Sequence, residues 1–269
     1  MPAAVTGLHA WGSGRVSAHA RVILADNPSP LTFLGTNTWV LSSPGSSKCV
    51  VVDPGPDSAS HLRSVRDACL EDGREVAAIL LTHDHADHAE GAGRFAEMTG
   101  APVLSRRGGA LPDGPLDLGA DAPPLEVVPL PGHSSDHVGF LVPSDASVVT
   151  GDMLFRQSST LICWPDGDLA DYLDSLDRLQ GVVRERGVVR LLTAHGPLVD
   201  DPLEAIERAR RHRLERLGRV RDAIRVGAGA DVDRVLAVVY RDVDARLDPA
   251  ARMNVRAQLD YLERKGLID

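Results

Sequence analysis

The stretch His-Asp-His-Ala-Asp-His at residues 83–88 concentrates metal-ligating side chains. It follows directly on an apolar run at residues 76–81, which is typical of a buried strand. A strand that ends in such a loop holds the ligands at its tip. Because successive side chains of an extended segment point to opposite sides, the loop can serve two neighbouring cations. The candidate ligands in it are His83, His85, Asp87 and His88.

Three further candidate ligands follow strand-like runs downstream: His133, Asp152 and His195. Each comes at the end of its run beside glycine or alanine, where little side-chain bulk crowds the loop. A closed dinuclear site needs more histidines and one carboxylate that can bridge two ions. The downstream residues supply both.

The remaining histidines show no such placement. His137 is a possible outer partner of the site, whereas we expect His9, His19, His61 and His212 to be ordinary core or surface residues.

Length and composition predict one sizeable domain plus a small appendage, because 269 residues can bury a substantial core. The three cysteines are odd in number and widely spaced, which excludes a disulfide framework and a cysteine-rich zinc site. The N-terminus has neither a basic nor an apolar signal segment, so we expect a cytoplasmic location. No apolar run approaches the length of a membrane span, and no membrane partner is expected.

Charge is distributed unevenly along the chain. Residues 1–201 carry 14 basic and 26 acidic side chains, and residues 202–269 carry 15 and 12. The acidic body argues against a long polyanion lying across it, whereas the slightly basic tail could meet one.

Strand-like and helix-like segments alternate in two similar halves, which predicts an α/β sandwich with helices outside two facing sheets. Each half ends its sheet in a ligand loop, so the metals would sit at a shared edge. The predicted strands cover residues 38–41, 49–53, 76–81, 102–104, 125–130, 138–142, 147–150 and 188–194. A helix capped by Ser58 and helices over residues 89–98 and 169–179 complete this part.

The spacing of apolar residues changes at residue 202, where a long amphipathic helix begins. Two more helices, over residues 232–240 and 249–265, and a closing short strand resemble a winged-helix module. We therefore predict a catalytic domain at residues 1–201 and a helical winged-helix-like domain at residues 202–269. Such a tail could either contact nucleic acid or cap the body and wall one side of the cleft.

The ordered pattern His-x-His-x-Asp-His, then His, then Asp, then His resembles the signature of the metallo-beta-lactamase-fold hydrolases, and it is complete here. The resemblance implies a four-layer αββα sandwich and two metal ions, with zinc as the implied metal and manganese or iron also suited to these ligands. By this resemblance, His83, His85 and His133 hold one ion, Asp87, His88 and His195 hold the other, and Asp152 bridges them.

Other segments are similar to the beta-lactamase-like protein 2 family, and this resemblance covers nearly the whole chain. It rests on residues 35–39, 165–168, 211–217 and 259–268. The resemblance includes members that cleave single-stranded RNA and relatives that release acyl groups from carrier-protein thioesters.

We therefore predict a metal-dependent hydrolase that uses a metal-bridging hydroxide, with Asp87 and Asp152 as catalytic residues. Two substrate classes stay open. The basic tail favours single-stranded RNA, whereas the acidic body and an aromatic content of only 4% favour a thioester or other small acyl substrate. The alternative from another class is a non-catalytic binding protein that the metals stabilise.

Overall fold

Two facing β-sheets form the centre of the molecule in the computed structural model, which describes residues 11–71 and 73–268. The first sheet has the strand order β1-β2-β3-β4-β5-β6, and the second has the order β11-β10-β9-β8-β7. The first sheet consists of β1 (Gly14–Arg15), β2 (Ala20–Leu24), β3 (Asn37–Ser42), β4 (Lys48–Val52), β5 (Glu75–Leu80) and β6 (Val103–Leu104). The second consists of β7 (Gly114–Pro115), β8 (Glu126–Pro129), β9 (Val138–Val142), β10 (Ser147–Gly151) and β11 (Arg190–Thr193).

In the described residues, seven α-helices flank or follow the sheets. They are α1 (Ala59–Glu71), α2 (Ala86–Ala89), α3 (Ala92–Thr99), α4 (Leu169–Arg186), α5 (Pro202–Ala223), α6 (Val232–Val239) and α7 (Asp248–Arg264). The single helix predicted over residues 89–98 is two helices, α2 and α3. The break falls at Gly91, whose amide donates to the carbonyl of Gly55 and whose missing side chain lets that backbone approach. Helix α4 runs about two turns beyond its predicted end at residue 179, to Arg186.

Alternation along the strands sends one set of apolar side chains between the sheets and the other set outwards. In β4, Val50 and Val52 pack in the inter-sheet core with Trp39 and Phe140, whereas Val51 faces α1 and α3. Helices α4 and α5 cover the outer face of the second sheet. The predicted four-layer αββα arrangement is therefore confirmed.

Asn37, at the start of β3, joins the two sheets at the edge where the candidate ligands lie. Its backbone amide donates to the carbonyl of Ala194 at 2.7 Å, and its side-chain amide donates to the carbonyls of Thr193 and Gly196 at 2.9 Å each. On the other side of the site, the amide of Val138 donates to a carbonyl in the loop after β5. These bonds fix the distance between the two groups of ligand loops.

Helices α5, α6 and α7 form a small helical unit with its own core. The first half of α5 packs on α4 and its second half packs on α6 and α7, so α5 contributes to both cores. The division at residue 202 thus remains a prediction. Within the described residues, no helix has both the length and the apolar character that a membrane span requires.

The predicted closing strand is wrong for residues 266–268, and Asp269 lies outside the described residues. The amides of Lys265, Gly266 and Leu267 donate back to carbonyls in the last turn of α7. A backbone engaged in this way forms a helix-ending turn and cannot pair with a strand.

A substitution at Gly132, just before the ligand candidate His133, tests how tightly this loop packs against α4. Its φ is +131°, and a Cβ there would collide with the backbone of Tyr172 at the start of α4. We expect Gly132→Ala to lower the free energy of unfolding by about 2–4 kcal/mol, from strain and overpacking. Gly181→Ala within α4, where a Cβ meets open space, should instead raise it by up to about 1 kcal/mol. Equal effects of the two substitutions in chemical denaturation would contradict this.

Candidate metal centre

Three histidines converge on one point at the shared edge of the sheets. His83 and His85 come from the loop after β5, and His133 comes from the loop after β8. The Nδ1 atom of His85 lies 3.0 Å from Nε2 of His83 and 3.0 Å from Nε2 of His133. Three ring nitrogens that face one another at this distance offer a ready set of ligands for a cation.

A second group, formed by Asp87, His88 and His195, lies beside the first. One oxygen of Asp87 is 3.4 Å from Nε2 of His88 and 3.3 Å from Nε2 of His195. His195 follows β11 of the second sheet, so this group also draws on both sheets. These six side chains and Asp152, the seventh predicted ligand, form one cluster.

Asp152 lies between the two groups and faces both. Its Oδ1 atom is 3.4 Å from His88 Nε2 and 3.3 Å from His195 Nε2, while its Oδ2 atom is 3.5 Å from His133 Nε2. Asp152 Oδ1 and His88 Nε2 are buried and have no hydrogen-bond partner among the described residues. Burying a polar atom without a hydrogen-bond partner costs free energy. Two such atoms among these nitrogen and oxygen ligand atoms therefore fit a site for divalent cations.

Asp53 is a buried carboxylate that was not among the predicted ligands. It accepts hydrogen bonds from the amide and hydroxyl of Thr82, at 2.8 and 2.7 Å, and its Oδ2 atom lies 2.8 Å from Nδ1 of His88. It holds a φ of +52°, which is uncommon for a residue other than glycine. A carboxylate on the second ring nitrogen fixes the orientation of a ligating histidine. The signal in the sequence was its position at the end of β4, next to β5.

The other ring nitrogens of the cluster are also held from outside. Nδ1 of His133 lies 2.6 Å from the carbonyl oxygen of Leu161, and Nδ1 of His195 lies 3.3 Å from that of Gly35. His137, predicted as a possible outer partner, accepts a hydrogen bond at Nε2 from the amide of Asp152 at 3.0 Å.

The remaining histidines stay away from the cluster. The ring of His61 contacts the hydroxyl of Thr38 at 2.9 Å, and the ring of His19 contacts the carbonyl of Ser42 at 3.2 Å. His212 lies on α5. His9 lies outside the described residues.

The C-terminal helices hold the loop that orients His133. Arg213 of α5 donates to the carbonyl of Thr160, and the side-chain oxygen of Asn254 in α7 accepts from the amide of Ile162 at 3.1 Å. These contacts lie on either side of the carbonyl that binds the histidine ring. The helical unit therefore takes part in shaping the metal centre, and nothing in the sequence pattern of α5 singled out Arg213 among its many arginines.

The charges of the cluster are strongly coupled. Burial lowers the pKa of His88, but the carboxylates Asp87, Asp152 and Asp53 outweigh it and raise that pKa well above 6.5. Burial likewise opposes protonation of His195, yet Asp152 and Asp87 raise its pKa to about 9. Burial lowers the pKa of His133 to about 4. Without a cation, protons on His88 and His195 thus balance the two central carboxylates.

A cleft opens directly over the cluster, with a cavity of about 290 Å³. Its floor is formed by ligand candidates from both sheets, and its far wall by α7 and the segments around it. The side chain of Asp87 is about one third exposed towards solvent, whereas that of Asp152 is mostly buried. A small molecule that enters this cleft can therefore reach the cluster.

Comparison with known proteins gives two family matches. Residues 31–119 match the Metallo-beta-lactamase superfamily, and residues 232–269 match the Beta-lactamase associated winged helix domain. A relative from Drosophila melanogaster, called Beta-lactamase-like protein 2 homolog, is 27% identical over 94% of this chain and 90% of its own length. The Atrochrysone carboxyl ACP thioesterase of Aspergillus fumigatus is 26% identical over 72% of this chain and 62% of its own length.

Solved structures share the fold. A beta-lactamase domain protein from Burkholderia ambifaria superposes with a TM-score of 0.77 at 23% identity, covering 94% of this chain and 88% of that one. A protein called TTHA1623, solved in a di-iron-bound form, gives a TM-score of 0.53 at 28% identity over 66% of this chain and 94% of its own.

Asp53→Asn tests the outer support of His88. The amide keeps the shape of the carboxylate but removes the charge that orients the ring, so we expect metal affinity to fall about 10- to 100-fold. Chelator competition measures this. Asp57→Asn is the control, because Asp57 pairs with Arg94 at the surface and does not touch the cluster. Unchanged affinity in Asp53→Asn would contradict the assigned support.

The pH dependence of metal uptake tests the charge balance. Because the pKa of His88 is raised and that of His195 is raised to about 9, a cation must displace protons from both at neutral pH. Affinity should therefore rise with pH up to about pH 9, by about tenfold per pH unit for each proton displaced. Calorimetric titration in buffers of different ionisation enthalpy measures the protons released. Metal uptake without proton release at pH 7 would contradict this account.

Proposed function

We propose that this chain, whose residues 31–119 match the Metallo-beta-lactamase superfamily and whose residues 232–269 match the Beta-lactamase associated winged helix domain, is a metal-dependent hydrolase of thioesters or carboxylic esters. The proposal rests above all on Asp152, whose two oxygens face the two histidine groups beneath an open cleft. A single carboxylate placed in this way suits a pair of divalent ions.

The residues that would hold the two ions are those that converge in the structure. We propose zinc as the metal, with iron or manganese as alternatives, since imidazole and carboxylate ligands suit all three. When bound, such a pair of ions lowers the pKa of water and polarises the bond to be cleaved. The first group is His83, His85 and His133, the second is Asp87, His88 and His195, and Asp152 lies between them.

Asp87 and Asp152 have different tasks in this proposal. Burial raises the pKa of each carboxyl, but His88 and His195 outweigh burial, so both stay ionised. Asp152 is buried and contributes negative charge between the groups. Asp87 is partly open to the cleft and can accept a hydrogen bond from the attacking water, which orients it towards the substrate.

Hydrolysis of a thioester balances without any further reactant. The oxygen of water adds to the carbonyl carbon, the bond from that carbon to sulfur breaks, and a proton from water ends on the departing sulfur. The products are a carboxylic acid and a thiol. No oxidant, reductant or protein nucleophile is required.

One relative supports an acyl substrate, because it is called Atrochrysone carboxyl ACP thioesterase. The basic side chains near the end of the tail support the same choice, because they already have partners and are less available to a phosphate backbone. Arg252 and Arg264 each pair with two aspartates. Arg256 lies over the ring of Trp164, and Lys265 lies near the ring of Tyr261.

Single-stranded RNA remains the second candidate substrate. The observation that favours it is the match of residues 232–269 to a winged helix domain, a class of module that often contacts nucleic acid. Salt distinguishes the two candidates: cleavage of an oligonucleotide should weaken steeply as ionic strength rises, whereas turnover of a small neutral thioester should not.

The proposal is tested with metal-replete protein against a thioester, a carboxylic ester and a single-stranded RNA oligomer. We expect thioester turnover, and we expect His85→Ala and Asp152→Ala each to reduce it by about 10³-fold or more, because several kcal/mol of transition-state stabilisation depend on the ions. His19→Gln is the control, since His19 lies away from the cluster.

Two outcomes would overturn the proposal. RNA cleavage without thioester turnover would favour the second candidate. No hydrolysis of any substrate, despite two bound ions per chain, would favour a non-catalytic binding protein.

A further inference from the structure

The cleft continues beyond the metal centre to a wall built by the C-terminal helices. Four of its side chains are apolar and small or medium in size, namely Val243, Leu247, Ala250 and Ala251, and Tyr240 and Asn254 line it as well. Leu31, which is 50% exposed, and Leu161 line the side nearer to the cluster. An alkyl or similarly apolar segment that starts at the metal centre would therefore lie against apolar surface along the cleft.

One basic side chain, Arg216 of α5, lines this cleft among the described residues. Its guanidinium lies over the ring of Tyr240 at 4.4 Å, and it donates to the carbonyl of Val239 at 3.1 Å. No carboxylate of the described residues forms an ion pair with it, unlike Arg208 and Arg210 on the same helix. Arg216 is therefore a half-buried cation whose charge is not balanced.

A second unbalanced cation stands behind it. Arg213, one turn earlier on α5, is only 3% exposed, and its partners are neutral: the carbonyl of Thr160, the side-chain oxygen of Asn254 and the ring of Tyr172. Its Nε atom has no hydrogen-bond partner in the part of the chain that the structure describes. A buried cation without an anion is costly, so two of them one turn apart give this end of the cleft a positive potential that an anion would relieve.

We propose that the cleft binds a substrate with two ends: a scissile acyl carbonyl at the metal centre and an anionic group at Arg216, joined by an apolar segment that lies on the wall of α7. This inference rests on the proposed hydrolysis of thioesters or esters. The anionic group is a carboxylate at the far end of an apolar acyl chain; a phosphate on the thiol portion, which an amide-containing arm joins to the sulfur, is the second source of negative charge that the test distinguishes. Both form charge-assisted hydrogen bonds with a guanidinium.

The test compares a neutral thioester with two anionic thioesters, each of which differs from it at one end. The first is an octanoyl thioester of N-acetylcysteamine, which is neutral. The second has the same thiol and an acyl chain of equal length ending in a carboxylate. The third has the octanoyl group on 4′-phosphopantetheine. We expect the second or the third to have a KM about 10- to 100-fold below that of the neutral thioester, as one charge-assisted contact allows.

Arg216→Gln should remove this preference. The KM of the anionic thioester should rise to that of the neutral one, while kcat and the neutral KM change less than about twofold. Arg216→Lys should restore part of the preference. Arg219→Gln is the matched control, because Arg219 is exposed on the same helix and does not line the cleft. Metal content and thermal unfolding of each variant show that the centre and the fold are intact.

Ala250→Phe tests the apolar wall independently. A ring at this position would occupy the cleft, so the longest acyl chain that is turned over should shorten while acetyl thioesters are unaffected. Equal KM values of the three thioesters in the unmodified protein would overturn the inference, and so would an equal loss for neutral and anionic thioesters in Arg216→Gln. Absence of turnover of all three would instead count against the proposed function itself.

Discussion

Asp152 carries the buried negative charge on which the whole cluster depends. Within residues 11–71 and 73–268, three imidazoles lie within 3.5 Å of its two oxygens and no hydrogen bond satisfies Oδ1. A carboxylate in such surroundings must be balanced by protons or by cations. Protonated histidines can balance this charge until divalent ions replace their protons. The cluster is thereby arranged to favour ion uptake at neutral and higher pH.

Five strands end at the edge of the sheets where this charge is balanced: β4, β5, β8, β10 and β11. The parallel pairing of β4 with β5 brings Asp53 next to the loop after β5, and the parallel pairing of β10 with β11 brings Asp152 next to His195. Asn37 then connects the sheets with three hydrogen bonds. Because the C-terminal helices hold the loop around residue 161, one helical unit both supports a ligand and lines the cleft. Changes in this unit should therefore affect metal binding and substrate choice together.

The sequence was most informative where a local pattern decides the structure. The alternating ligands of residues 83–88 and the strand-like runs before His133, Asp152 and His195 predicted both the sheets and the cluster. Asp53 was missed because its role depends on register, which places Val52 opposite Leu80 and cannot be read from one strand. The edge strands β1 and β7 have two residues each, too few for a periodic signal.

The tail was harder to predict because its roles depend on contacts between distant elements. Arg213 stands in a run of arginines that the helical pattern assigns to solvent, yet it is buried against Thr160 and Asn254. The prediction of a closing strand was wrong because the last backbone amides donate to carbonyls of α7 instead of pairing with another strand.

Anomalous X-ray scattering from crystals of the metal-loaded protein, recorded at the absorption edge of the bound metal, locates the ions themselves. We expect two peaks about 3.5–4 Å apart, one beside His83 and one beside His195, with Asp152 between them. A single peak, or peaks that Asp152 does not contact, would contradict this expectation.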